Sequence, residues 1–253
     1  MSDLKTVAAR ALACLDLTNL NDDCTAQDVV DLCARAQTPH GPTAAICIWP
    51  QFVGDAAGLL VGTGVRIATV VNFPAGDDPA EDVIALTEAA IADGAQEIDL
   101  VVPYKKLMEG TPGFITAMVE RIREAAGDAK VKTILETGVL GEADLIRTAC
   151  RAALEGGADF LKTSTGKVPV NATPVSGRIL LEEIAASGRR VGFKPAGGVK
   201  STEDAGVYLA LCDEIMGPDW ASPETFRIGA SSVLSALLAT LDGTDAPSLG
   251  EGY

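Results

Sequence analysis

The chain has one histidine, His40, in 253 residues. A zinc-dependent aldolase or hydrolase normally draws on several imidazoles, and a Ser-His-Asp triad needs one beside its serine. His40 lies in Thr38-Pro39-His40-Gly41-Pro42, a turn by composition, and reads as a surface loop residue. No metal site is expected, so any chemistry falls to lysine and carboxylate. Cys14, Cys24, Cys33, Cys47, Cys150 and Cys212 are scattered, with no C-x-x-C pair. They read as reduced thiols of a cytoplasmic protein. Bases are scarce, 20 against 35 acids, for a net charge of −15, which argues against nucleic acid and anionic membranes as partners. No apolar run approaches the ~20 residues that cross a bilayer, and Met1 to Leu12 does not read as a signal peptide. Aromatics are only 4%. The core is therefore aliphatic, which suits parallel strands covered by helices. Nucleotide-binding glycine motifs are incomplete: Leu161 stands where a P-loop ending at Gly166-Lys167 needs its first glycine, and Ile67 where Gly62-Thr-Gly64 needs its third.

What is present is alternation. Short apolar runs read as strands at Ala13–Leu17, Thr43–Trp49, Arg66–Asn72, Glu97–Val102, Val131–Glu136, Phe160–Ser164, Arg190–Pro195 and Thr225–Gly229. They recur about every thirty residues, the length of one strand-helix unit. Thr25–Asp28 and Ser201–Asp204 resemble capping signals, while Asp78-Pro79 and Thr173-Pro174 put a capping residue before a first-turn proline. A short helix, Leu4–Leu12, leads, and a last one covers Ser232–Leu241. No linker divides the chain, so a single α/β domain is expected over 1–253: a (β/α)8 TIM barrel with an N-terminal helix and a flexible tail at 242–253. A doubly wound sheet is the alternative, but its first strand usually ends in a glycine-rich turn, and here it ends Leu17-Thr18-Asn19.

Phe160 to Lys167, F-L-K-T-S-T-G-K, sets a lysine inside an apolar strand. A buried amine loses its proton readily and becomes a nucleophile. An internal repeat places a partner: Ala89–Asp99 aligns with Ala152–Lys162 without a gap, each with a Gly-Ala turn before its strand. Asp99 and Lys162 then occupy equivalent interior positions, either as acid/base and nucleophile or as a structural ion pair. Lys194 is a second lysine in an apolar strand. Two interior lysines repel each other, so one of them is expected to be neutral near pH 7; the alternative is that one lies in a loop and is solvated. Phosphate sites in barrels commonly form after strands seven and eight. Gly197-Gly198 and Ser231-Ser232 follow those strands here, and Gly166-Lys167 closes the set from strand six. The helix after Ser231 turns its free N–H groups toward an anion.

Those stretches resemble the deoxyribose-phosphate aldolase family of class I aldolases nearly end to end. The likeness runs through Leu15–Asn21, Thr43–Cys47, Asn72–Pro74, Glu97–Asp99, Glu136–Gly138, Phe160–Lys167, Gly192–Gly198 and Gly229–Ser232. It implies reversible cleavage of 2-deoxy-D-ribose 5-phosphate to D-glyceraldehyde 3-phosphate and acetaldehyde, with no metal or organic cofactor. By motif position it implies that Lys162 forms the Schiff base and Asp99 donates and accepts protons. Lys194 is then the cation that depresses the nucleophile's pKa. Asp16, Cys47, Lys132 and Thr165 match positions lining the family's pocket. Gly166, Lys167, Gly197, Gly198, Ser231 and Ser232 match its phosphate cradle. Lys200 stands where many relatives carry arginine, and lysine lacks the bidentate fork. The likeness extends to Tyr253, a terminal phenol on a tail whose twelve residues reach at most about 40 Å. The expected partners are a small phosphorylated sugar and small aldehydes, and a homodimer stays open. Two rival readings remain at this stage: a sugar-phosphate sensor built on the same barrel, and a transaldolase-like Schiff-base enzyme.

Overall fold

The structure, a computed structural model, describes residues 3–244. Eight parallel strands form one sheet: β1 (Leu15–Asn19), β2 (Ala45–Ile48), β3 (Arg66–Val71), β4 (Glu97–Val101), β5 (Lys130–Ile134), β6 (Phe160–Lys162), β7 (Gly192–Lys194) and β8 (Ile228–Ala230). β8 pairs with β1, and the ring is completed between β7 and the segment leading into β8. There Phe193 N–H donates to Thr225 O (2.8 Å), Arg227 N–H to Phe193 O (3.0 Å) and Gly229 N–H to Pro195 O (2.9 Å). The expected (β/α)8 barrel is the observed one.

The helix boundaries follow local chemistry. Thr25–Asp28, Thr173–Ser176 and Ser201–Asp204 each form a capping box, before helices Ala26–Arg35, Pro174–Ser187 and Thr202–Met216. Each such cap is worth about 1 kcal/mol. The Asp78-Pro79 signal behaves otherwise. Pro79 is the N-cap of Ala80–Ala92, and the Asp78 N–H is taken by Asn72 Oδ1 at 2.9 Å. The leading helix runs Leu4–Ala13, nearly three turns rich in alanine, and β1 begins two residues later than expected. It packs on Thr202–Met216 and on the last helix, Val233–Asp242. That helix ends at Gly243 in the left-handed conformation, so Asp242 is helical and not the start of a tail. Residues 245–253, which hold the rest of the expected tail and Tyr253, lie outside the described residues. β6 and β7 are shorter than expected because their ends pair with loop backbone. Leu135 N–H reaches Lys162 O, and Thr163 N–H reaches Lys194 O. His40 is exposed in a turn, with Nε2 2.7 Å from Asp242 Oδ1.

Side chains alternate across each strand. On β1, Leu15 and Leu17 join the large aliphatic core between barrel and helices, while Asp16 turns inward. On β4, Ile98 and Leu100 face that core, while Glu97 and Asp99 turn inward. The barrel interior divides in two. One part is apolar: Leu20, Cys47, Ala68 and Val70, with Trp49 and Phe73 packed against them. The other is ionic. Phe160 sits in it, its ring centroid 6.0 Å from Lys132 Nζ and 5.8 Å from Arg227. Phe160 fits there because residue 192 has no Cβ. A methyl at Gly192 would overlap the Phe160 ring at Cε1 and Cδ1.

Gly192→Ala is therefore expected to overpack the barrel and cost about 1–3 kcal/mol. The urea midpoint should fall with an unchanged m-value.

Candidate active site

Lys162 ends β6, and Lys194, its register partner, ends β7. Both are buried, and both reach one oxygen on β4. Asp99 Oδ2 accepts from Lys162 Nζ at 2.6 Å and from Lys194 Nζ at 2.8 Å. Asp99 Oδ1 accepts from Lys132 Nζ at 3.2 Å. Asp16 on β1 mirrors it: Oδ2 takes Lys194 at 2.5 Å and Lys132 at 3.0 Å, and Oδ1 takes Arg227 at 2.5 Å. Glu97 closes the far side, bound by both nitrogens of the Arg227 fork (2.7 and 3.0 Å) and by Lys132. Lys194 reaches this centre past Gly229, where an added Cβ would lie 3.0 Å from Lys194 Cε.

The two lysines titrate differently. Burial pushes the Lys162 ammonium below the ordinary lysine range; nearby Lys194 adds to this, and Asp99 opposes it. Burial also works against the Lys194 charge, but Asp16 and Asp99 outweigh it and hold Lys194 above that range. The repulsion expected from the sequence is thus real, but desolvation is the larger cause. Against burial, Lys132, Lys162 and Lys194 keep Asp99 below the ordinary aspartate range. Lys132, Lys194 and Arg227 do the same for Asp16. Cys47 is fully buried beside these groups. Burial raises its thiol, with Asp99 adding to the effect, so it stays neutral.

Above this layer Lys162, Thr165, Thr18, Gly197 and Gly198 line one cleft. Gly166, Gly197 and Gly198 all adopt positive φ, at 85°, 77° and 88°. Ser231 and Ser232 line the adjoining cleft with Thr18 and Asn19, and Ser232 is the N-cap of the last helix. Lys167 Nζ reaches across to Asp22 after β1, at 3.0 Å. Lys200 is exposed; its N–H is held by Asp204 Oδ2 at 2.9 Å, and it lines neither cleft. Of the predicted set, Asp16, Cys47, Asp99, Lys132 and Lys194 are buried inside the barrel, and Lys162, Thr165, Gly197, Gly198, Ser231 and Ser232 line the clefts above them; Lys200 lines neither cleft, and Tyr253 lies outside the described residues.

Three members of this site go unread in the sequence. Glu97 and Arg227 are the first two, and the signal for them was available. Each is a charge inside an expected strand, two residues before Asp99 and Gly229 respectively, the spacing that keeps one face. The third is Glu136, buried in the left-handed conformation at φ 54°. Its carboxylate accepts from Thr165 N–H at 3.2 Å and Thr165 Oγ1 at 2.5 Å, fixing the turn before Gly166. Burial raises its pKa, against the Thr165 hydrogen bonds. No short motif encodes that contact.

Among the described residues no group of three His, Cys, Asp or Glu side chains forms a metal site, and no helix is long and apolar enough to cross a membrane. Residues 10–209 match the DeoC/LacD family of aldolases. A deoxyribose-phosphate aldolase of Agrobacterium fabrum is 52% identical over 251 residues, 98% of this chain and 97% of that protein. A Toxoplasma gondii crystal structure, assigned as a deoxyribose-phosphate aldolase in its apo-form, superposes with a TM-score of 0.87. The two are 25% identical, and the match covers 96% of this chain and 99% of the other. A tetrameric deoxyribose phosphate aldolase from Aeropyrum pernix follows at TM-score 0.76, 26% identical over 94% of this chain and 92% of that one.

Asp99→Asn removes the charge that three lysines share. Breaking a buried pair typically costs about 3–5 kcal/mol, and the urea midpoint at pH 7 should fall accordingly. Asp16, Glu97 and Asp99 all ionise below their ordinary values in the folded chain. The unfolded state protonates first, so this stability is present above about pH 4–5 and is lost as pH falls. Between pH 7 and pH 4 the variant should lose less than the parent.

Proposed function

The chain belongs to the DeoC/LacD family of aldolases, and from that premise we propose how its barrel cleaves 2-deoxy-D-ribose 5-phosphate reversibly to D-glyceraldehyde 3-phosphate and acetaldehyde. The enzyme is a carbon–carbon lyase acting on a small sugar phosphate. In the proposed assignment, neutral Lys162 Nζ attacks the C1 carbonyl of the open-chain sugar, and loss of water gives an iminium. That cation is the electron sink. A base takes the C3 hydroxyl proton, the C2–C3 bond breaks, and its electron pair moves to C2–C1 as an enamine. The three-carbon aldehyde phosphate leaves. A proton returned to C2 gives the acetaldehyde imine, and water releases Lys162.

One observation carries this reading. The ion network joins three buried carboxylates, Asp16, Glu97 and Asp99, to Lys132, Lys194 and Arg227, while the buried Glu136 stands outside it, held by Thr165. These six balance, so Lys162 is the cation the barrel does not need, and its amine is the one free to react. Asp99 Oδ2, shared by Lys162 and Lys194, is the proposed proton acceptor and donor, with Lys194 as its charged partner. Positioned proton transfer of this kind contributes ~10²–10⁴-fold. Each barrel carboxylate already carries at least two cationic side chains, which supports metal-free chemistry. Thr18 and Leu20 line the cleft with Lys162, Cys47 is buried beside the same charged groups, and the three suit the short aldehyde. Gly166, Lys167, Gly197, Gly198, Ser231 and Ser232 are the proposed phosphate cradle, Lys200 an outer cation, and Tyr253 a phenol for the proton at C2. A homodimer and a cytoplasmic location, consistent with six free thiols, complete the reading. Sedimentation distinguishes a dimer from the tetramer known for the Aeropyrum pernix protein.

Borohydride added with the sugar phosphate, chelator present throughout, should mass-label the peptide holding Lys162. Asp99→Asn should lower turnover by ~10²–10⁴-fold. A label on Lys194 with Lys162 unmodified, or loss of turnover that a divalent ion restores, overturns the assignment.

Ser232→Ala should raise KM for the 5-phosphate sugar and leave unphosphorylated deoxyribose nearly unaffected. Equal losses for both sugars would place the phosphate elsewhere.

A further inference from the structure

Arg227 and Glu97 lie outside the reacting centre, and neither touches Lys162. Both are sealed: Glu97 has no exposed surface and Arg227 is 1% exposed. Arg227 Nε donates to Pro223 O at 2.6 Å, and its ring-facing side lies over Phe160. Its two terminal nitrogens divide between Asp16 Oδ1 and the two oxygens of Glu97. Glu97 also meets Lys132 and, at 3.8 Å, the half-exposed Arg66. A fully buried arginine is hard to place unless its charge is spoken for, and here two carboxylates take it.

We propose that Arg227 and Glu97 are positioning residues that set the protonation state of Lys162 from the opposite end of the ion network. The proposal rests on the Schiff-base reading of Lys162 given above. The route is a chain of shared oxygens. Arg227 occupies Asp16 Oδ1. Asp16 Oδ2 then needs only part of Lys194 and Lys132, and both keep a bond to Asp99. Those two take up most of the Asp99 charge, so its hydrogen bond from Lys162 opposes loss of that proton without outweighing burial. Take Arg227 away, and three carboxylates share Lys132 and Lys194. The missing positive charge is then recovered most readily by protonating Lys162. Take Glu97 away, and Lys132 shifts its charge toward Asp99, so Lys162 needs its proton less.

The other charged or titratable groups facing Lys162 do not alter the sign. Cys47 on β2 is a neutral thiol. Glu136 after β5 is held by Thr165, and its pKa is raised by burial. Cys14, at the junction of the first helix and β1, feels the Arg227 charge, but burial lifts its thiol far from ionising near neutrality.

The test is the acid limb of imine formation. The rate of borohydride-trapped adduct with acetaldehyde is followed from pH 5 to 10 by intact mass, with peptide mapping to Lys162. The proteins are the parent, Arg227→Met, Glu97→Gln, the double variant and Arg227→Lys. Arg227→Met should move the midpoint up by about one pH unit and recover the parent's rate at high pH. Glu97→Gln should move it down. The double variant, whose charges balance again, should return to within a few tenths of the parent, and Arg227→Lys should keep the parent's midpoint. A merely structural role predicts losses that alkali does not recover. An Arg227→Met midpoint equal to the parent's overturns the proposal, as does a double variant displaced as far as Arg227→Met. If Arg227→Met fails to fold, Glu97→Gln and the double variant decide by the same midpoints. A parent unlabelled at Lys162 at every pH defeats the Schiff-base reading instead. A labelled parent with unmoved midpoints in the variants defeats only this one.

Discussion

Asp99 Oδ2 is the atom on which the interior depends. It holds Lys162 and Lys194 within hydrogen-bonding distance of one oxygen, deep in a barrel where a lone charge would be prohibitive. Two ammonium groups do not approach a shared point without a carboxylate between them. That carboxylate does not survive desolvation without a third cation, Lys132. Each added charge calls for another, and the series stops only where Arg227 meets Asp16 and Glu97. The network balances its charges without Lys162, and that balance is what leaves Lys162, though hydrogen-bonded to Asp99, able to give up its proton. Isolated buried salt bridges add little to stability. This one fixes which way seven side chains point.

The barrel supplies the geometry that makes that balance feasible. Parallel strands set consecutive Cα positions in register, so that Lys162 lies beside Lys194 and Asp99 beside Lys132. Small residues then tune the depth. Gly192 admits Phe160 under two cations, and Gly229 lets Lys194 extend toward β1 and β4. The apolar cluster around Cys47 and Val70 shares the interior with this ionic half, and Leu20 of that cluster lines the cleft beside Lys162.

The fold was legible because it is written in repetition. Eight strand runs at regular spacing, paired capping boxes, and the gapless match of Ala89–Asp99 to Ala152–Lys162 all describe local geometry. Gly94 and Gly157 in that match both take positive φ beyond a helix end, at 111° and 96°. Lys162, Asp99 and Lys194 were legible because charges in apolar strands are conspicuous. Glu97 and Arg227 obey the same rule. They went unread because one stands at a strand's first residue and the other inside a run whose first residues only bridge to β7. Glu136 could not be read at all. Its role depends on a left-handed turn and a contact 29 positions away. Asp78 misled because the helix starts one residue later, with Pro79 as its N-cap, and Asp78 is turned instead toward Asn72, which takes its N–H.

Filling a barrel's centre with ions instead of aliphatic side chains also changes how the protein answers temperature. Unfolding an apolar core raises heat capacity, whereas exposing polar surface lowers it. The ionic layer therefore offsets part of the curvature contributed by the aliphatic shell between barrel and helices. Hydration of the freed charges becomes less favourable on warming, so the desolvation cost of keeping them inside declines as the shell's hydrophobic gain levels off. The centre and the shell of this molecule are thus both weakest in the cold, and they part company on warming: the shell's gain levels off while the ionic centre goes on improving.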